Sequence, residues 1–216
     1  MFIRRLTTRL TLLTAVFLAG AASACNDPTL LSAPESPNAA RLDAKHAGKL
    51  SGTVVKAAVL RRAKALETDE TSCGLVTPIS ARGRTTISLE HAGLAITFAD
   101  GAVSSPTNVC LVAHAGALLT YSFYPHGLHF RAAVAVQQDL RGTTAFHNSA
   151  MMSGLFGGYL ANEVANDVDV DGVGTFAQTF EVFDADSASA APKGTTSFVR
   201  FYTDHFSGYA LASGRL

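Results

Sequence analysis

The sequence has no tryptophan, only three cysteines and few charges: Asp, Glu, Lys and Arg together make 16% of its 216 residues. Neither sign prevails, since 17 basic side chains stand against 17 acidic ones. A neutral chain offers no basic surface with which to displace counterions from a polyanion, so nucleic acid is not an expected partner. With no Trp and five Tyr, the exposed aromatic platforms that sugar-binding sandwiches use are poorly supplied, which leaves a carbohydrate-binding role the thinnest of the binding readings. No C-x-x-C pair offers a metal or redox site. No G-x-S-x-G marks a hydrolase, so no enzyme acting on an external substrate is expected, and nothing calls for a cofactor.

What the chain does have is 48% apolar residues, 13 Phe and 18 Gly. Beyond its first 50 or so residues, enough remains for one ordinary domain of about 150 residues, with a core of Phe, Val and Leu and many tight turns.

Residues 1–24 read as a secretory signal peptide. Arg4, Arg5 and Arg9 precede the apolar run Leu10–Ala22, and small residues follow. The run falls short of the ~20 residues of a membrane-spanning helix. Ala22-Ser23-Ala24-Cys25 resembles a lipobox, with Ala22 in place of the usual Leu. That resemblance implies a bacterial lipoprotein acylated on Cys25 and held to a membrane; each buried CH₂ of such a chain adds about 0.8 kcal/mol. The alternative is an ordinary signal peptide with an incidental Cys. Residues 25–50 carry Pro28, Pro34 and Pro37 among Ser, Ala and scattered charge, without apolar period. They are expected to form a disordered tether.

Residues 51–216 are expected to form an all-β domain, an antiparallel β-sandwich. Apolar residues alternate with polar or small ones in Thr85–Leu89, Leu94–Phe98, Val109–Ala113, Leu118–Tyr124 and Leu128–Val136. Leu155–Leu160, Gly174–Phe183, Thr196–Thr203 and Ser207–Ala212 continue the series. Period-two runs broken by turn residues, such as Asp100-Gly101 and Pro125-His126-Gly127, are half-buried strands. Their spacing of about 8–15 residues is that of a sandwich. Ser51–Leu66 fits either a short helix or an edge strand over Thr53–Val59 with Lys56 facing water; the β context favours the strand. Glu67–Ser72 reads as a polar loop and Arg141–Ala150 as a polar connection.

Cys73 and Cys110 remain once Cys25 is set aside. In an exported protein such a pair favours one disulfide over two separate thiols, and a closed loop of about 37 residues is worth roughly 3–4 kcal/mol. Asp167, Asp169 and Asp171 with Gly172 spell D-x-D-x-D-G, the opening of a calcium loop. The twelfth position is Gln178 rather than a bidentate Glu, so a solvated acidic edge before an Asp-Gly turn is the stronger reading and calcium the weaker. His91, His114, His126, His129 and His147 lack zinc spacing and read as surface and turn histidines.

Gly101-Ala102-Val103, followed by Tyr121, Phe123, Pro125, His126, Gly127, Leu128 and Phe130, resembles the ZU-five domain of ankyrins, netrin receptors and death-domain scaffold proteins. His205-Phe206-Ser207-Gly208-Tyr209 is similar to that family's last strand. The resemblance spans roughly residues 55–215, with Phe98-Ala99-Asp100 where the family usually has a Pro. It implies a β-sandwich engaged in interaction or scaffolding, here with an unidentified partner of the cell envelope. Some eukaryotic relatives cut themselves between Phe and Ser of a His-Phe-Ser site. By resemblance His205, Phe206 and Ser207 carry a competing, self-processing reading: the Ser207 hydroxyl attacks the Phe206 carbonyl with His205 as base. The plainer alternative is that Phe206 and Tyr209 pack and Ser207 sits at a bend.

Overall fold

The computed structural model describes residues 54–162, 164–186 and 192–214. The signal peptide, Cys25 and the tether lie outside the described residues.

In chain order the strands are β1 (Val55–Val59), β2 (Arg61–Leu66), β3 (Glu70–Val76), β4 (Arg84–Leu89), β5 (Leu94–Ala99) and β6 (Thr107–Ala113). Next come β7 (Gly116–Leu118), β8 (Thr120–Tyr124), β9 (His129–Asp139), helix α1 (Ser149–Ser153), β10 (Leu155–Leu160) and helix α2 (Val164–Asp167). The chain closes with β11 (Val173–Phe176), β12 (Gln178–Glu181), β13 (Phe183–Asp184), β14 (Phe198–His205) and β15 (Gly208–Ser213). All named strand pairs are antiparallel. The all-β sandwich expected from alternation is the fold.

One layer is the five-stranded sheet β13-β14-β9-β5-β4 and the other an eight-stranded sheet that forks at β15. Along one side β15 pairs β10, which pairs β12. Along its other side residues 208–210 pair β8, which leads to β6 and β3, while Ala212 and Ser213 pair β1, which leads to β11. A third, two-stranded piece joins β2 to β7.

The burial pattern explains why the layers face each other. In β5 Leu94, Ile96 and Phe98 are buried while the residues between them are half-buried, and β6 does the same with Val109, Leu111 and Ala113. Between the sheets lies an aromatic cluster with Phe206 at its hub. Its ring centroid is 4.8 Å from that of Phe130, 5.3 Å from Phe123 and 6.0 Å from Phe98, in edge-on or tilted contacts that aromatic quadrupoles favour. A second, smaller core of Val59, Phe156, Leu160 and Phe176 fills the curl where β11 bends toward β10. Gly158 makes this possible: a Cβ there would fall 2.0 Å from the Phe176 ring.

Several boundaries differ from expectation. Residues 53–59 were expected at an edge, but β1 is hydrogen-bonded on both sides, by β11 and β15, and buries Ala57 and Val59 completely or nearly so; Lys56 is exposed as expected. The 67–72 loop is shorter, because β3 starts at Glu70, whose carboxylate accepts the amides of His91 (3.0 Å) and Ala92 (2.7 Å). Leu118–Tyr124 is two strands split at Leu119, whose amide donates to the Leu60 carbonyl at 2.8 Å where the chain changes sheets. Gly174–Phe183 is divided among β11, β12 and β13. The 141–150 connection holds a turn and then Asn148, whose side chain accepts from the Met151 amide and caps α1. Among the described residues no helix is long and apolar enough to cross a membrane.

Candidate functional site

Cys73 and Cys110 form the disulfide (S–S 2.05 Å), directly across the β3–β6 ladder. Among the described residues β3 is the last strand on its arm of the sheet, bonded on one side only. The Cα atoms of the two cysteines are 4.1 Å apart, the short spacing of a non-hydrogen-bonded antiparallel pair. Residues in such a pair turn their N–H and C=O away from the partner strand. Thr71, Cys73 and Leu75 therefore aim their backbone groups at the open edge. Beside them Leu75 is 54% exposed and Ile79, in the following loop, 81%. The strand carries neither Lys nor Pro to discourage pairing.

The second place is the corner between β14 and β15. Phe206 and Ser207 are the two residues that carry the chain from one sheet to the other. Tyr209 donates its hydroxyl to the His205 carbonyl and accepts from the Thr203 hydroxyl at 2.7 Å, fixing the bend much as tyrosine corners do in other sandwiches. Burial pushes the Tyr209 hydroxyl pKa well above its usual value, with the Thr203 hydrogen bond opposing part of the rise. The Phe206 carbonyl accepts the Gly127 amide at 2.9 Å, and the Phe206 amide donates to Leu128 at the same distance. Gly127 has φ +73°, a conformation that Gly adopts without steric cost. Ser207 is buried, and among the described residues its hydroxyl approaches only the Leu160 carbonyl, at 3.5 Å, the outer limit of a hydrogen bond. His205 Nδ1 is 2.8 Å from Asp204 Oδ1, and its ring lies against Tyr159 (4.9 Å) and opposite His129 (5.7 Å). The three residues of the tripeptide are thus adjacent, but no hydrogen bond joins His205 to Ser207. None of them has a positive φ; among the described non-glycine residues that conformation belongs to His147.

The three aspartates do not converge. Asp167 ends α2, is buried, and accepts the backbone and side-chain amides of Asn162 at 2.7 and 3.1 Å. Asp169 accepts the amides of Asp171 (3.0 Å) and Val173 (2.8 Å), closing the turn that leads through Gly172, at φ +83°, into β11. Asp171 is held through its carbonyl by Arg61. Among the described residues no three His, Cys, Asp or Glu side chains gather as a metal requires. The other histidines are dispersed. His91 is 3.4 Å from Glu70, His114 bonds Ser122, and His126 packs on Tyr124.

A third place was not singled out from the sequence. Arg62, on β2, is 6% exposed. Its Nη1 donates to the carbonyls of His114 and Gly116, both at 3.3 Å, and of Leu118, and its guanidinium lies 5.7 Å over the Tyr121 ring. Tyr121 donates to Gln138, which donates to the Ala92 and Asp139 carbonyls at 2.9 and 2.8 Å. Burial pushes the Tyr121 hydroxyl pKa up to about 12, against the lowering influence of Arg62. Arg62 borders a cleft of about 240 Å³ between β2 and the ends of β4 and β9. At its rim Asp139 is half-buried. Burial alone raises its carboxyl pKa, but the hydrogen bonds and charge of Arg141 prevail and hold it below the usual carboxylate value. The sequence did hold a signal for Arg62: it shares strand parity with Leu60 and Leu66, both apolar.

No protein-family model matches the chain, and no curated protein matches it in sequence.

Proposed function

We propose that this chain is a lipid-anchored, non-catalytic binding module of a bacterial cell envelope, tied to a membrane through Cys25 and engaging an envelope protein along the open edge of β3. The observation that carries the binding role is that edge: outward backbone groups at Thr71, Cys73 and Leu75, flanked by exposed Leu75 and Ile79. Such an edge adds a partner strand by main-chain hydrogen bonds, with neighbouring apolar side chains supplying selectivity. The lipobox-like Ala22-Ser23-Ala24-Cys25 supports the anchor, and the likeness of residues 101–130 to ZU-five domains supports interaction over chemistry.

A photo-crosslinking amino acid at position 75, compared with one at the exposed Glu181, tests the reading in intact cells. The expected result is a discrete adduct from position 75 that is lost with Cys25→Ser and absent from position 181. No adduct, or equal adducts from both positions, overturns it.

One observation favours a second reading, self-cleavage between Phe206 and Ser207. The Gly127 amide already donates to the Phe206 carbonyl, the oxygen that would gain negative charge. In that reaction the Ser207 hydroxyl oxygen bonds to the Phe206 carbonyl carbon. The C–N bond then breaks, the nitrogen gains a proton, and water hydrolyses the ester to a Phe206 carboxylate and a Ser207 amine. Two fragments under denaturing conditions, abolished by Ser207→Ala, establish this reading; a single intact mass refutes it.

A further inference from the structure

Carbonyl dipoles and the Tyr121 ring answer the charge of Arg62, but no carboxylate among the described residues does. Its Nη1 is clamped by three carbonyls. Its Nε and Nη2 are buried and have no hydrogen-bond partner among the described residues. Those two N–H groups point the same way and form the side-on fork with which arginine grips carboxylates and phosphates. Among the described residues no carboxylate lies within ion-pair distance of it. Two nearby carboxylates are engaged elsewhere, since Glu70 accepts the amides of His91 and Ala92 and Asp139 is held by Arg141, while Glu90 stands exposed at the rim, beyond ion-pair distance of Arg62. A buried cation with three of its five N–H donors idle is an unfavourable arrangement in a protein interior, and a matching anion relieves it.

We infer that the cleft bordered by Arg62, Lys64, His91, Gln138 and Thr143 is a binding site for a small oxyanion, a carboxylate or phosphate group, received on Nε and Nη2 of Arg62. At about 240 Å³ the cleft is smaller than the roughly 300–1,000 Å³ of sites for drug-sized ligands, so it takes an end group or a small anion rather than a bulky cofactor. Lys64 and Glu90 stand at its rim, both exposed and with no hydrogen bond or ion pair among the described residues. Their side chains are free to move as the anion enters: Lys64 brings a second positive charge, and Glu90 swings outward, away from the anion. Tyr121 and Gln138 hold the floor: the Tyr121 ring supports the guanidinium from one face, and its hydroxyl locks the Gln138 amide. The inference is independent of the β3 edge and of the lipid anchor.

The test uses the full chain, labelled with ¹⁵N-arginine and titrated with sodium phosphate or sodium acetate against sodium chloride at fixed ionic strength. The expected result is a saturable shift of the Arg62 Nε–H resonance and a rise in thermal midpoint, as for any ligand that binds only the folded state. A response to phosphate alone assigns a phosphate group; a response to acetate as well extends the site to carboxylates. Arg62→Lys keeps the charge but loses the fork and is expected to weaken binding by about tenfold or more. Should that variant not fold, the wild-type Arg62 resonance decides alone. No saturable shift with either anion beyond that in chloride overturns the inference, as does equal affinity in a folded Arg62→Lys variant.

Discussion

Phe206 and Ser207 are neighbours with opposite energetic weight. Phe206 is fully buried and touches three other Phe rings. Truncating it leaves a cavity where the two sheets meet, so Phe206→Ala is expected to cost about 3–5 kcal/mol in urea unfolding. The Ser207 hydroxyl makes one marginal contact, and Ser207→Ala is expected to cost under about 1 kcal/mol. A Ser207→Ala loss as large as that of Phe206→Ala contradicts this assignment of the corner. Gly158→Ala is the third single-residue case. Its new methyl meets the Phe176 ring far inside contact distance, and the displaced ring is expected to destabilise the domain by about 1–3 kcal/mol, measured the same way. Phe206 was legible as a packing residue in the plainer reading of the tripeptide, which set it and Tyr209 in the core with Ser207 at a bend. Arg62 was not, because a basic residue in a strand ordinarily faces water, and only the carbonyls supplied by residues 114–118 keep it inside.

Among the elements, β3 is where architecture and proposed function meet. Among the described residues its only strand partner is β6, and the Cys73–Cys110 bridge fastens that pair. Replacing both cysteines with Ala is expected to lower stability by about 2–4 kcal/mol. The loss should be concentrated in β3, seen as faster amide exchange at Ser72 and Gly74, whose groups bond toward β6, than in β5 or β9. A uniform change across both sheets contradicts the placement of β3 as an edge strand held by one neighbour. Most strands were visible in the sequence because alternation survives wherever one face is buried. The turns at Asp100-Gly101 and Pro125–Gly127 were visible because Gly takes a positive φ at both. What alternation does not encode is a change of partner along an unbroken run. Leu60 and Leu119 sit where the chain leaves one sheet for another, yet each continues the apolar pattern, so residues 118–124 read as one strand. The start of β3 was obscured because Glu70 looks like a loop residue until its carboxylate meets two amides of the β4–β5 turn.

For the molecule as a whole, pH reports on the buried polar core. Tyr121 ionises at 10.0 when unfolded and near 12 when folded, and burial shifts Tyr209 in the same direction. The folded state therefore holds these protons more tightly than the unfolded chain. Their contribution is complete below pH 10 and is lost as pH rises through the folded values. The domain is expected to lose stability steeply above about pH 10, with Tyr121 and Tyr209 absorbing as phenolates only as the fold opens. Full ionisation of all five tyrosines in an intact fold at pH 10.5 contradicts the buried network around Arg62 and Gln138. At this level the proposal is of a tethered sandwich that binds without cutting, itself included. The most direct measurement is the intact mass of the mature protein taken from membranes. The account predicts one uncut polypeptide beginning at Cys25 and carrying added acyl mass there. An unacylated chain, or a pair of fragments divided between Phe206 and Ser207, contradicts it.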